Sequence, residues 1–343
     1  MTKTRKITYI VLLFVVAALL VLGGLYDLAI DEALYAPDNI VARIFESVGI
    51  FPPFVFVGAT LATLFFVLDD KKKCYLLKRV LCVAGTATAY FVFGYMAINE
   101  TSLTISWLPY VAGIGAAAVF APLTLWILSR VENGTRRRLL VFLLFGTIIA
   151  FVANLLLVNV LKFIWSRPRY REMVAAGNFD IYSPWYVINS FSLHGHHSFP
   201  SGHTASACSL FVLCALGEVF PKYREKEATI AFIVGLYTIT MAYSRIVLGA
   251  HFLSDVTAGF AITFITYAVT RYFYFKHFPI ADILGENMTE EIEEAENAET
   301  SIDAEETPNG AEEAVNDTEE TQNDATTSET EPQTDGESGS EEK

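Results

Sequence analysis

Long apolar runs, separated by short polar or charged segments, set the pattern of this chain. A helix needs about 20 residues to cross the hydrocarbon core of a bilayer, so runs of that length read as membrane spans. Eight are found, at 7–25, 50–68, 79–98, 108–128, 139–161, 204–220, 228–246 and 254–275. The first follows Lys3, Arg5 and Lys6, as a signal peptide would. Its apolar stretch is long, however, and passes into Gly23-Gly24-Leu25-Tyr26 without a small-x-small cleavage site, so it is read as an anchor. The predicted fold class is all-α, a polytopic bundle of about eight transmembrane helices.

Charge orients the bundle. Basic groups lie at Lys71, Lys72, Lys73, Lys78 and Arg79, at Arg130, Arg136, Arg137 and Arg138, and at Lys222, Arg224 and Lys226. With the basic amino terminus they fall on one side of eight spans, which the positive-inside rule makes cytoplasmic, together with both termini. The opposite segments 26–49 and 99–107 carry Asp27, Asp31, Glu32, Asp38, Glu46 and Glu100 against one arginine. The segment between spans five and six breaks the rule, with Lys162, Arg167, Arg169 and Arg171 against Glu172 and Asp180. Cations on that side suit either lipid headgroups or a dedicated anion site.

Composition divides the chain further. The formal charge of −14 arises because Ala281–Lys343 carries 23 acidic residues and one lysine, while the remainder carries 15 acidic and 23 basic ones. Beyond Gly285 there is almost no large apolar side chain, so nothing offsets the entropy of ordering, and a disordered cytoplasmic tail is expected. The organisation read from these features is membrane helices over 1–138, a catalytic membrane core over 139–278 and the acidic tail over 279–343. Cys74, Cys82, Cys208 and Cys214 lack the spacing of a disulfide framework or a metal knuckle.

Three clusters on the non-cytoplasmic side carry candidate chemistry. Lys162-Phe-Ile-Trp-Ser-Arg-Pro-Arg169 ends span five, and the helix should stop near Pro168. Pro200-Ser201-Gly202-His203 opens span six, where the first turn of a helix leaves N–H groups and a partial positive charge facing outward. Ser244-Arg245, His251 and Asp255 join spans seven and eight. His251 and Asp255 are four apart and would share a helix face, where a carboxylate fixes the imidazole tautomer. Arg245 offers a planar fork for phosphate oxygens. An ordinary capped helix start, a structural ion pair and lipid snorkelling each explain one cluster alone; their coincidence on one side at helix ends favours a site.

These clusters resemble the signature of the type 2 phosphatidic acid phosphatase superfamily, K-x6-R-P, P-S-G-H and S-R-x5-H-x3-D. The second and third match in full; the first matches at Lys162 and Arg169, with Tyr170 where the family has proline. The resemblance covers about residues 139–275 and leaves the spans near 79–128 as an apparent insertion. It implies that His251 attacks phosphorus to form a phosphohistidine and that Asp255 orients it. It further implies that His203 protonates the leaving lipid oxygen and then activates water. Lys162, Arg169, Arg245, Ser201 and Gly202 would hold the phosphoryl oxygens. Three fixed cations can stabilise the transition state's charge, so no metal or other cofactor is expected.

The expected substrate is a phosphorylated membrane lipid such as phosphatidate, phosphatidylglycerophosphate or a polyprenyl diphosphate, met at the outer face of the cell membrane. No nucleic-acid partner is expected. His194, His196 and His197 form a dense group without a carboxylate or cysteine beside them in sequence, and are read as a loop flanking the site. Transfer of phosphate to a second lipid or alcohol would use the same histidine. A transporter would place its charges near the midplane, not at helix ends. The haloperoxidases of the superfamily are soluble, which eight spans argue against.

Overall fold

A computed structural model describes residues 3–68, 71, 74–99, 105–189, 191 and 196–277. The acidic tail and His194 lie outside the described residues. Helices α1 (Lys3–Leu34), α2 (Ile40–Val48), α3 (Phe51–Val67), α4 (Tyr75–Asn99), α5 (Leu108–Ser129) and α6 (Asn133–Ile149) are followed by a π-helical stretch, Ala150–Val158. The chain continues through α7 (Asn159–Trp165), α8 (Tyr170–Ala176), α9 (Gly202–Cys208), two 3-10 stretches, α10 (Glu227–Val247) and α11 (Leu253–His277).

The distribution of side chains is inverted relative to a water-soluble bundle. On α1, Ile10, Phe14, Val21 and Leu25 are exposed while Asp27 and Asp31 are fully buried. On α2, Ile40, Val41 and Ile44 point outward while Glu46 is buried. Apolar surface outside and ionisable groups inside is what a bilayer selects, because hydrocarbon cannot solvate charge.

Among the described residues, seven helical tracts are long and apolar enough to cross a membrane. The eighth expected span, 204–220, is composite. The seven residues of α9 run into ten residues of 3-10 helix, Ser209–Glu218. A 3-10 helix rises about 2.0 Å per residue against 1.5 Å for an α-helix, so the two together reach roughly 30 Å, enough for the hydrocarbon core. This tract is the most enclosed of all, with Ala205, Ala207, Cys208, Val212 and Ala215 buried.

Four element ends meet in an ion cage far along the bundle from the clusters described above. Arg5 near the start of α1 lies 3.2 Å from Glu218 and 2.6 Å from Glu227; Arg271 near the end of α11 lies 2.6 Å and 2.7 Å from the same two residues. The three motif clusters sit at the other ends of α10 and α11 and of the α9–3-10 tract. The α4–α5 hairpin packs on α3, beside the motif-bearing helices.

Candidate active site

The three clusters converge. Lys162, Arg169, Gly202, His203, Arg245 and His251 line one cavity of about 490 Å³. Local sequence explains how each is held. The helix bearing Lys162 stops at Trp165, three residues before Pro168, with Ser166 left-handed at φ 43°. Tyr170 is the first residue of α8, the position a helix offers to proline, so the departure from the family motif leaves the turn intact. Its ring packs edge-on against Tyr35 at 5.2 Å.

Ser201 caps α9, its Oγ accepting the Thr204 N–H at 3.4 Å. Ser201 is fully buried and spent on this cap, while Gly202 lines the cavity. Gly259 allows α11 to approach here, since a Cβ would lie 2.3 Å from the Ser201 carbonyl oxygen. Gly249, at φ +58°, ends α10 and turns the chain so that His251 precedes α11.

That placement corrects one expectation. His251 and Asp255 do not share a helix face, because α11 begins only at Leu253. Their closest approach, Nδ1 to Oδ2, is 3.8 Å. His251 Nδ1 instead lies 2.6 Å from the Ser198 carbonyl oxygen. A carbonyl only accepts, so Nδ1 carries the proton and Nε2 keeps its lone pair. Burial pushes the His251 imidazole down to about 3, so the ring is neutral at physiological pH. Asp255 acts one step removed: its Oδ2 accepts from Ser198 Oγ at 2.5 Å and from the Phe252 N–H at 2.9 Å. Its own carbonyl accepts the Ser201 N–H at 2.9 Å, tying the second motif to the third.

Arg167 and Arg171, which the sequence left open between lipid headgroups and an anion site, are held by buried partners. Arg167 is fully buried and donates to Ser183 O (2.8 Å), Ser254 Oγ (2.8 Å), Asp255 Oδ1 (2.5 Å) and Asp27 Oδ2 (2.9 Å). Arg171 Nη1 lies 3.1 Å from Glu46 Oε1. Sequence reasoning missed Glu46, Asp27, Ser198 and Ser254 as parts of the site. Glu46 Oε1 also binds Arg245 Nη2 at 3.0 Å, and its carbonyl accepts from His203 Nε2 at 3.0 Å. With Nε2–H donating to that carbonyl, Nδ1 is the His203 nitrogen left to give or take a proton. Arg245 Nε and Nη1 are buried without a partner among the described residues, two N–H donors available to an anion.

One carboxylate approaches the histidine loop in space: Glu172 Oε2 lies 2.7 Å from His196 Nδ1. Among the described residues no three His, Cys, Asp or Glu side chains converge as a metal would require.

A membrane-type helix bundle with a buried neutral histidine, a second histidine and three cations around one cavity defines an anion-handling membrane protein. Residues 139–279 match the PAP2 superfamily model. Lipid A 1-phosphatase of Rhizobium johnstonii is 36% identical over 106 residues, 31% of this chain and 37% of that protein. Lipid A 1-phosphatase of Rhizobium etli is 36% identical over 107 residues, 31% and 39% of the two chains. Phosphatidylglycerophosphatase B of Bacillus subtilis is 30% identical over 78 residues, 22% and 38%. The matched segments thus span less than two fifths of these relatives. No solved structure matches.

Proposed function

We propose that the chain is a lipid phosphate phosphatase working through His251. The observation that carries this reading is the neutral His251, with Nδ1–H bound to the Ser198 carbonyl, in one cavity with Lys162, Arg169 and Arg245. The relatives' names support a lipid phosphate as the substrate class.

In the proposed reaction the Nε2 lone pair of His251 forms a bond to phosphorus while the bond from phosphorus to the lipid oxygen breaks. Protonated His203 gives its proton to that oxygen. The proton-free His203 then takes a proton from water, whose oxygen attacks phosphorus, and the P–N bond breaks to release inorganic phosphate. Arg245 Nε and Nη1, Lys162 and Arg169 neutralise charge on the non-bridging oxygens. Asp255 positions His251 through Ser198.

Purified protein assayed against phosphatidate, phosphatidylglycerophosphate and a polyprenyl diphosphate should release inorganic phosphate from at least one, undiminished by excess EDTA. Label passed to an added alcohol acceptor in place of water would establish phosphotransfer instead. Full loss with EDTA, restored by a divalent ion, would assign the reaction to a metal.

The basic loops support an active site at the outer face of the cell membrane and cytoplasmic termini. Single cysteines at Asn178 and Gly134 of an otherwise cysteine-free protein test this with an impermeant maleimide on intact cells. Labelling at 178 alone is expected; labelling at 134 alone would invert the topology.

A further inference from the structure

The cavity that holds the catalytic residues does not end with them. It continues as an apolar groove walled by Phe54 and Val57 of α3, Val92 and Met96 of α4, and Phe151 and Leu155 of the π-helical stretch. Its polar end holds every cation of the site, and its far wall holds none. Phe151 and Leu155 are 55% and 60% exposed on the apolar outer surface, so the groove opens sideways towards the bilayer and not towards water. A volume of about 490 Å³ falls within the range that buries most of a small-molecule ligand.

We infer that this groove receives the first part of the hydrocarbon chain of the phosphorylated lipid, and that α4, from the otherwise unexplained hairpin, is the wall that selects the chain. The inference rests on the proposed phosphatase activity and adds a role for residues far from the reaction. Continuity argues for the occupant. A phosphate seated against Arg245 and His251 leaves its attached chain a covalently fixed exit, and this groove runs from that point into the membrane. Two features argue for α4. Val92 and Met96 face α3 and the π-helical stretch across the groove. The helix is also held close to its neighbours: Tyr90 of α4 donates to or accepts from Thr124 of α5 at 2.8 Å, and Thr86 Oγ1 lies 3.3 Å from the Gly58 carbonyl oxygen of α3. A wall fixed in this way discriminates by shape, and each methylene denied burial costs about fourfold in binding.

The test compares kcat/KM for a long-chain lipid phosphate with that for p-nitrophenyl phosphate, which has no chain. Val92→Trp and Met96→Trp should each lower the ratio of the two at least tenfold. Ile114→Trp, on the outward face of α5, should leave the ratio at the parental value. Met96→Ala provides a second direction: it enlarges the groove and should raise the relative rate on a lipid carrying a bulky pyrene-labelled chain. An unmoved ratio in all three groove variants would overturn the inference, whatever their absolute activities. A parent protein that cleaves p-nitrophenyl phosphate but no lipid phosphate would instead overturn the lipid phosphatase reading itself.

Discussion

Replacing His251 by alanine should reduce phosphate release to below about a thousandth of the parental rate while the protein still inserts and remains monodisperse in detergent. The expectation follows from the ring's geometry. Its Nδ1–H is committed to the Ser198 carbonyl, so the nucleophilic lone pair sits on Nε2, and burial keeps the ring unprotonated down to about pH 3. The sign matters. Burial that depresses a histidine favours its neutral form, so ring protonation should not switch off the nucleophile anywhere between pH 5 and 8. Alanine removes the only protein atom proposed to bond phosphorus, and the remaining cations can bind substrate but cannot accept the phosphoryl group. Activity of His251→Ala within about tenfold of the parent would remove the assignment.

The second large effect is expected at Arg167. This guanidinium is fully buried and compensates Asp27 and Asp255, both also fully buried. It lies 4.2 Å from the centre of the Phe252 ring, so its surroundings hold no alternative solvation. Removing one partner of a buried ion pair leaves uncompensated charge and costs about 3–5 kcal/mol. Arg167→Leu should therefore lower the melting temperature in detergent by roughly 10 °C. It should also lose turnover, because Asp255 is the group that fixes Ser198 and, through it, His251. Arg167→Lys should rescue little, since an ammonium cannot reach four acceptors in the directions of a planar fork. A melting temperature within about 2 °C of the parent for Arg167→Leu would show that the triad of charges is not structural.

Much of this site was legible in the sequence, and the part that was not has a physical reason. Lys162, Arg169, His203, Arg245 and His251 could be placed together because helix ends on one side of a membrane must meet at one level. Asp27 and Glu46 could not, because their roles depend on where the chain leaves the membrane. The apolar run of the first span stops near residue 25, yet α1 continues to Leu34 and carries Asp27 and Asp31 inward. The four-residue spacing of those two carboxylates, directly after an apolar run, was the signal available. The spacing of His251 and Asp255 misled for the opposite reason. Gly249 and the loop after it lie between the two helices, so sequence distance did not translate into a shared face. The 3-10 stretch after α9 and the π-helical stretch before α7 have no counterpart in apolar periodicity. Both pack against neighbouring helices, contacts that a single chain's apolar pattern does not reveal.

The central claim is a covalent phosphohistidine at residue 251, and rapid acid-free quenching during turnover tests it most directly. A lipid substrate carrying a radiolabelled phosphate is mixed with purified protein, quenched in alkaline denaturant within milliseconds, and the labelled peptide is mapped by mass spectrometry. His203→Ala, which should slow the water step, serves to accumulate the intermediate. The account predicts an alkali-stable, acid-labile phosphate on His251, absent from His251→Ala. Label on another residue, or rapid turnover with no trapped phosphoenzyme in either protein, would contradict it.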